Sequence, residues 1–264
     1  MGNTTPVSPR RNMILLVSLL LGLIIPAGCI WLRRQMDVTI SGRRDVEDLT
    51  TIPVVGELPH WKEGARGSLI STCEGNASIV EAFRVMRYGV KFTKPAAKVM
   101  VCTSSTPGQG KSFVTRNFAV TQAMAGKRVL LVDADIRKGT LTKYYGGDEG
   151  LTNYLADEGG SLDLTPYIIS NALVENVDFL PAGAVPPNPT ELLMSDRLEA
   201  LVEEAKESYD FIIFDATPAF SVADAEVLSR IAEMLLFVVR VGVQDKAFLK
   251  DLERMHKSQR LKNL

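Results

Sequence analysis

Residues 101–113 read VCTSSTPGQGKSF, an apolar run that passes into small residues and ends in Gly110-Lys111-Ser112. A loop of small residues lets several main-chain N–H groups turn inward. A helix that follows it adds positive potential at its N-terminus, and together they hold an anion. The candidate cradle is Ser105, Thr106, Pro107, Gly108, Gln109, Gly110, Lys111, Ser112 and Phe113. Within it Lys111 is placed to reach the β- and γ-phosphates of a nucleotide, and the Ser112 hydroxyl to ligate Mg2+. The usual pattern is G-x-x-x-x-G-K-[ST]; here Ser105 stands at its first position.

Two carboxylate-bearing stretches complete the pattern. KRVLLVDADIR (127–137) is an apolar run ending in Asp133 and Asp135, and YDFIIFDATP (209–218) is another, ending in Asp215. A lone aspartate after a strand is ordinarily a turn or helix cap. Three of them at strand ends, after a phosphate loop, belong at the C-terminal edge of a parallel sheet, where open α/β folds bind ligands. Hard oxygen ligands beside a triphosphate are what Mg2+ needs, so ATP and Mg2+ are the expected cofactors.

These residues require a frame. The apolar runs predict strands over 99–102, 128–133, 177–181, 211–215 and 234–241, with helices between them. The helix after the loop carries Phe113, Phe118, Ala119, Gln122 and Ala123 on its buried side. Apolar strands alternating with helices predict an α/β fold with a mainly parallel sheet covered on both faces. Upstream, SIVEAFRVMRYGVKF (78–92) has helical spacing, with Ile79, Phe83, Met86 and Val90 on a buried stripe. Glu81, Arg84 and Arg87 lie off that stripe; spacing alone reads them as a solvated face with i,i+3 ion pairs.

The chain has 264 residues and a formal net charge of -1, which argues against a nucleic-acid binder. Its three cysteines, Cys29, Cys73 and Cys102, are scattered and suit neither a disulfide framework nor a zinc site. Residues 12–32, NMILLVSLLLGLIIPAGCIWL, carry no charge and as a helix are roughly 31 Å long, enough to cross a bilayer core. Arg10 and Arg11 flank one end, Arg33 and Arg34 the other, and Trp31 sits where an interfacial aromatic belongs. A lipoprotein signal ending at Cys29 is the competing reading, with Pro26 against it. The greater arginine count after the run, Arg43 and Arg44 included, places the C-terminal side in the cytoplasm. The expected organisation is an N-terminal flank (1–11), a transmembrane helix (12–32), a cytoplasmic linker (33–75) and a P-loop domain (76–264). In the linker, Ser41 is placed to cap a short helix, 51–59 is extended, and Gly64, Gly67 and Gly75 give flexibility.

From about Pro6 to Leu264 the sequence resembles the bacterial tyrosine kinases, the BY-kinases joined to chain-length regulators of exopolysaccharide export. STPGQGKS (105–112) resembles their Walker A loop, VLLVDADIRKGTL (129–141) their Walker A′ motif, and FIIFDATPAFSVADA (211–225) their Walker B region. PAGAVPPNPTELLMS (181–195) and GLTNYLAD (150–157) resemble further family segments, and Glu81, Arg84 and Arg87 match the family's E-x-x-R-x-x-R motif. The resemblance implies a bacterial inner-membrane, autophosphorylating tyrosine kinase with a cytoplasmic kinase domain. It implies that Glu81, Arg84 and Arg87 assemble a homo-oligomeric ring, that neighbouring subunits present tyrosine-rich tails, and that the polysaccharide export machinery is a partner. It assigns phosphate binding to Lys111, Mg2+ to Ser112, Asp133 and Asp215, and proton acceptance from the phenol to Asp133 or Asp135, with Arg137 near the phosphates. It makes the apolar run the second membrane helix of the adaptor part. The six tyrosines, Tyr88 to Tyr209, include none near Leu264, and the expectation is a chain cut at both ends. The alternatives are a catalytically silent ATP-binding assembly subunit, and a partition or septum-positioning ATPase, whose second loop lysine is replaced here by Thr106.

Overall fold

The computed structural model describes residues 11–35, 38–61, 68–73, 77–157, 159, 162–221 and 223–264. Arg10 and the linker glycines Gly64, Gly67 and Gly75 lie outside these residues, as do the side chains of Arg11, Arg33 and Arg34. Contacts divide the chain into two units, Met1–Thr39 and Ile40–Leu264.

The first unit holds helix α1 (Arg11–Gln35), with Pro26 inside it. Met13–Leu32 is long and apolar enough to cross a membrane, and its apolar side chains lie exposed. At 20 residues the stretch is about 30 Å long, the thickness of a bilayer core.

The second unit begins with α2 (Arg43–Leu49). Ser41 does not cap it: Gly42 occupies the N-cap without a side-chain bond, and the Ser41 N–H donates to Asp45 at 2.7 Å. Then follow α3 (Ser78–Thr93), β1 (Val99–Ser104), α4 (Lys111–Ala123), β2 (Val129–Asp133), α5 (Thr142–Tyr145), α6 (Leu151–Ala156) and β3 (Val177–Leu180). The order closes with α7 (Pro189–Leu193), α8 (Asp196–Ser208), β4 (Phe211–Asp215), α9 (Asp224–Leu228), β5 (Met234–Val238) and α10 (Ala247–Lys257). The five strands form one sheet in the order β3-β2-β4-β1-β5, and every pairing is parallel.

The strand interiors are buried on both faces, as βαβ crossovers demand. Along β1, Val99 and Val101 enter the core beneath α8 and α10, while Met100 and Cys102 enter the core beneath α3 and α4. The stripe Ile79, Phe83, Met86 and Val90 is buried as its spacing predicts. Strand limits shift for local reasons. β1 runs on to Ser104 because Thr103 and Ser104 still pair with Phe237 and Val238, and β5 stops there because β1 then turns into the loop. β3 stops at Leu180 because Pro181 has no N–H to give the ladder.

The segment expected as a linker divides at Ile40. Ile40 is buried, its N–H donates to the Gln244 carbonyl at 2.8 Å, and the Gly242 N–H donates back to the Ile40 carbonyl at 2.8 Å. Further on, Thr51 donates through N–H and hydroxyl to Glu253 of α10, at 3.0 and 2.9 Å. Val55 then packs so closely on α3 that a Cβ at Gly89 would overlap its carbonyl oxygen. Residues 40–55 are therefore docked chain.

Two outcomes follow. In an open helix Gly→Ala stabilises by about 1 kcal/mol, but Gly89→Ala must push Val55 aside, so it is expected to destabilise the protein by about 1–3 kcal/mol. A lower denaturant midpoint checks this, and a higher one would place Val55 elsewhere. The Lys257 ammonium, the Thr51 N–H and the Thr51 hydroxyl hold the Glu253 carboxyl down at about 2, against an ordinary 4.5. A depressed acid pKa gives stability that is present above pH 4.5 and is lost as pH falls toward 2. Glu253→Gln is expected to lower the melting temperature at neutral pH and to narrow its gap from the parent across that acid window.

Candidate phosphate-binding site

The loop between β1 and α4 takes its shape from two glycines. Gly108 has φ 85° and Gly110 has φ 95°, the left-handed region that residues with a Cβ avoid. Gly110 is also the N-cap of α4, whose first turn receives no side-chain cap. The first N–H groups of that helix thus have no partner from an N-cap side chain, the arrangement an anion fits.

Beneath the loop lies Asp215, at the end of β4 and wholly buried. Lys111 Nζ lies 2.7 Å from its Oδ1, the Ser112 hydroxyl donates to its Oδ2 at 2.6 Å, and Thr115 Oγ1 lies 2.9 Å from its Oδ1. Burial pulls the Lys111 pKa down, but the adjoining Asp215 carboxylate outweighs it and the net movement is upward, so the lysine stays charged. β2 pairs with β4 so that Asp133 sits opposite Asp215 in register. Asp133 is also fully buried; its Oδ2 accepts from the N–H and hydroxyl of Thr142 at 2.7 and 2.8 Å. Burial, and then the Asp215 charge, push its carboxyl up to about 7. Burial raises the Asp135 pKa as well, against the pull of Lys111.

Arg137 turns to Asp224. Its Nε and Nη2 donate to the two Asp224 oxygens at 2.7 and 3.1 Å, and Thr190 donates to the same carboxylate at 2.7 Å. This fork joins the loop after β2 to the N-terminal ends of α7 and α9.

The structure thus gathers Lys111, Ser112, Asp133 and Asp215, while Arg137 is held by Asp224. Glu81 and Arg84 form an exposed ion pair at 3.1 Å on α3, and Arg87 donates to the Thr121 carbonyl at 3.0 Å. Sequence reasoning missed Thr115, Thr142, Thr190 and Asp224. Thr115 was findable, since it lies one turn beyond Lys111 on the same helix face; the others are brought in by long-range packing.

No cluster of three or more His, Cys, Asp or Glu side chains able to hold a metal occurs among the described residues. A divalent cation here would rest on one hydroxyl, one or two carboxylates and its ligand's phosphates, which is how Mg2+ is usually held in nucleotide sites. The donor set fits ATP and Mg2+: Lys111 and the loop N–H groups for the phosphates, Ser112 with Asp215 and Asp133 for the cation.

A parallel sheet with a glycine loop, a lysine and two carboxylates at its C-terminal edge defines a P-loop NTPase-like α/β fold. The family described as "AAA domain" matches residues 97–258. Tyrosine-protein kinase wzc of Salmonella typhimurium is 30% identical over 266 residues, covering 94% of this chain and 36% of that protein. Among solved structures, the BceF tyrosine kinase domain is 32% identical with TM-score 0.74, covering 84% of this chain and 94% of that one. The kinase domain of Escherichia coli tyrosine kinase ETK is 28% identical with TM-score 0.73, covering 83% and 89%. The chain belongs to this family of bacterial tyrosine-kinase domains, and it spans about a third of the length of the curated relatives it matches.

Thr115→Val keeps the shape of the side chain and removes a donor from the buried Asp215 carboxylate. A hydrogen bond to a charged group contributes about 1.5–3 kcal/mol, so urea denaturation of the nucleotide-free protein is expected to show a loss in that range. An unchanged midpoint would mean that the Thr115 proton serves the Lys111 carbonyl, 2.9 Å away, instead.

Proposed function

We propose that this chain is the ATP-dependent protein-tyrosine kinase module of a membrane-anchored regulator of exopolysaccharide polymerisation and export. In this reading α1 is its second membrane helix and the domain after it is cytoplasmic. The observation that carries the reading is the convergence of Lys111, Ser112 and the in-register pair Asp133 and Asp215 beneath a glycine loop that enters α4 at an N-terminus without a side-chain cap. The names of the relatives supply the acceptor: each is called a tyrosine kinase.

ATP with Mg2+ would supply the γ-phosphoryl group and the charge that neutralises it. The protein's part is positioning and electrostatics, which is most of what phosphoryl transfer asks of it. The loop N–H groups and the α4 N-terminus orient the phosphates. Lys111, now paired with Asp215, would supply positive charge to the phosphates, and Ser112 with Asp215 would hold the cation. Asp133, lifted by burial to about 7, is charged or neutral according to its neighbours at physiological pH. Asp133 and Asp135 are the two candidates for accepting the phenolic proton. Glu81, Arg84 and Arg87 on α3 are the proposed assembly contact. They share that helix with an outward apolar row of Val85, Tyr88 and Phe92, the last 90% exposed.

The test is phosphotransfer by the full chain in detergent, with ATP, Mg2+ and a peptide bearing a tyrosine cluster. The parent is expected to label the peptide. Lys111→Met is expected to reduce labelling by about 100-fold or more, since it removes the ammonium that would stabilise charge on the transferred phosphate. Because Lys111→Met leaves the buried Asp215 carboxylate without its counter-charge, at a cost of about 3–5 kcal/mol, thermal unfolding of the variant is measured alongside to show that the labelled fraction is folded protein. Asp133→Asn and Asp135→Asn separate the two base candidates. A parent that binds ATP but transfers nothing to tyrosine would leave an ATP-binding assembly subunit in its place.

A further inference from the structure

The phosphate loop is held from outside by residues that no motif contains. After β5 the chain turns through residues 240–246 and passes along the loop. The Arg240 N–H donates to Gln109 Oε1 at 3.1 Å, and Arg240 Nη1 donates to the Gly108 carbonyl at 3.2 Å. A main-chain N–H can only donate, so the Gln109 side-chain oxygen must face Arg240, and its NH2 must face the other way. There it donates to Thr106 Oγ1 at 3.0 Å and to Gln244 Oε1 at 3.3 Å. The Ser105 hydroxyl donates to the same Gln244 oxygen at 2.7 Å. One side-chain oxygen therefore accepts from both sides of the loop, and the polarity of the whole network is set by the Arg240 N–H. Ser105 and Gln109 are buried, which makes their bonds costly to lose.

Gln244 is itself fixed, since its main-chain carbonyl accepts the Ile40 N–H at 2.8 Å. The loop it spans contains Gly108 and Gly110, both at positive φ, and glycine loses more conformational freedom than any other residue when it is ordered. A loop without an external hold would lose that freedom on taking up its ligand, at a cost in affinity. Ser105, where the usual loop begins with glycine, gives the loop a hydroxyl to bond with.

We infer that Gln244, with Arg240, is a positioning residue for the phosphate loop, holding it ready for a nucleoside triphosphate through Ser105 and Gln109. Gln244 bonds the loop side chains Ser105 and Gln109 and acts through them. The inference rests on the nucleotide-binding reading above and adds to it the group that prepares the loop.

The test is titration of the full chain in detergent with a fluorescent ATP analogue and Mg2+, alongside thermal unfolding without nucleotide. Gln244→Met keeps the length of the side chain and removes the acceptor; Ser105→Ala removes the donor. Ser105→Ala is expected to weaken binding about five- to tenfold, the worth of one buried hydrogen bond, and Gln244→Met, which also ends the Gln109 bond, by at least as much. The nucleotide-free melting temperature is expected to fall by less than the same free energy would move it, because the released loop regains conformational freedom. The double variant is expected to bind no more weakly than the weaker single one, because both remove the same bond. Gln244→Glu keeps an acceptor oxygen and is expected to bind more tightly than Gln244→Met at high salt, where its added charge is screened. Parent-like binding by Gln244→Met, or losses that add in the double variant, would overturn the proposal. So would a melting temperature that falls in step with affinity, since that describes a structural bond only. Should Gln244→Met not fold, Ser105→Ala decides alone by the same comparison of affinity with melting temperature. A parent that binds no nucleotide would sink the nucleotide reading itself, a distinct result from equal binding by parent and variants.

Discussion

Lys111 and Asp215 form an ion pair at 2.7 Å with almost no access to water. Taking both charges out of water costs several kcal/mol per ion, and their mutual attraction repays it only when further hydrogen bonds satisfy the carboxylate. Ser112 and Thr115 supply those bonds from the same helix face. The pair thereby pins the first turn of α4 to the end of β4, and the loop before α4 must pass over it. A pair of this kind is a weak source of net stability. Its consequence is placement: an ammonium and a carboxylate are held together beneath the glycine loop, at the start of α4.

The rest of the sheet edge is arranged around that pair. β4 lies between β2 and β1, so Asp133 comes into register with Asp215 on one side and Cys102 on the other. Burial, and then the Asp215 charge on the adjacent strand, push the Asp133 carboxyl up to about 7. Around them the long loops are fastened by polar bonds. Arg137 reaches across to Asp224 and Thr190, and Arg240 and Gln244 reach to the phosphate loop. Each fastening joins segments far apart in sequence at the edge where loops would otherwise be loosest.

The charged face of α3 shows how little spacing decides about a surface. Glu81 and Arg84 make the ordinary exposed i,i+3 pair, worth tenths of a kcal/mol. Arg87 leaves that row and bonds the Thr121 carbonyl of α4. The exposed row Val85, Tyr88 and Phe92 lies on the same helix and is invisible to a reading that looks only for the buried stripe.

The sequence by itself determined the α/β class, the apolar helix, the five strands to within a few residues, and the loop from Ser105 to Ser112. These are local properties. Glycines at 108 and 110 permit positive φ, runs of Val, Ile and Leu mark strands buried on both faces, and a charge-free stretch of bilayer length is read directly. It also singled out Asp133 and Asp215, since each ends such a run. Tertiary structure decided which of these residues meet. Lys111 and Asp215 are 104 positions apart, and Ser105 and Gln244 139 apart. Those contacts exist only because the crossovers set the strand order β3-β2-β4-β1-β5. The docking of residues 40–55, the turning of Arg137 to Asp224 and the hold of Gln244 on the loop have the same origin. Spacing along a chain specifies the shape and buried face of one element, whereas a bond between elements depends on which neighbours the packed sheet supplies.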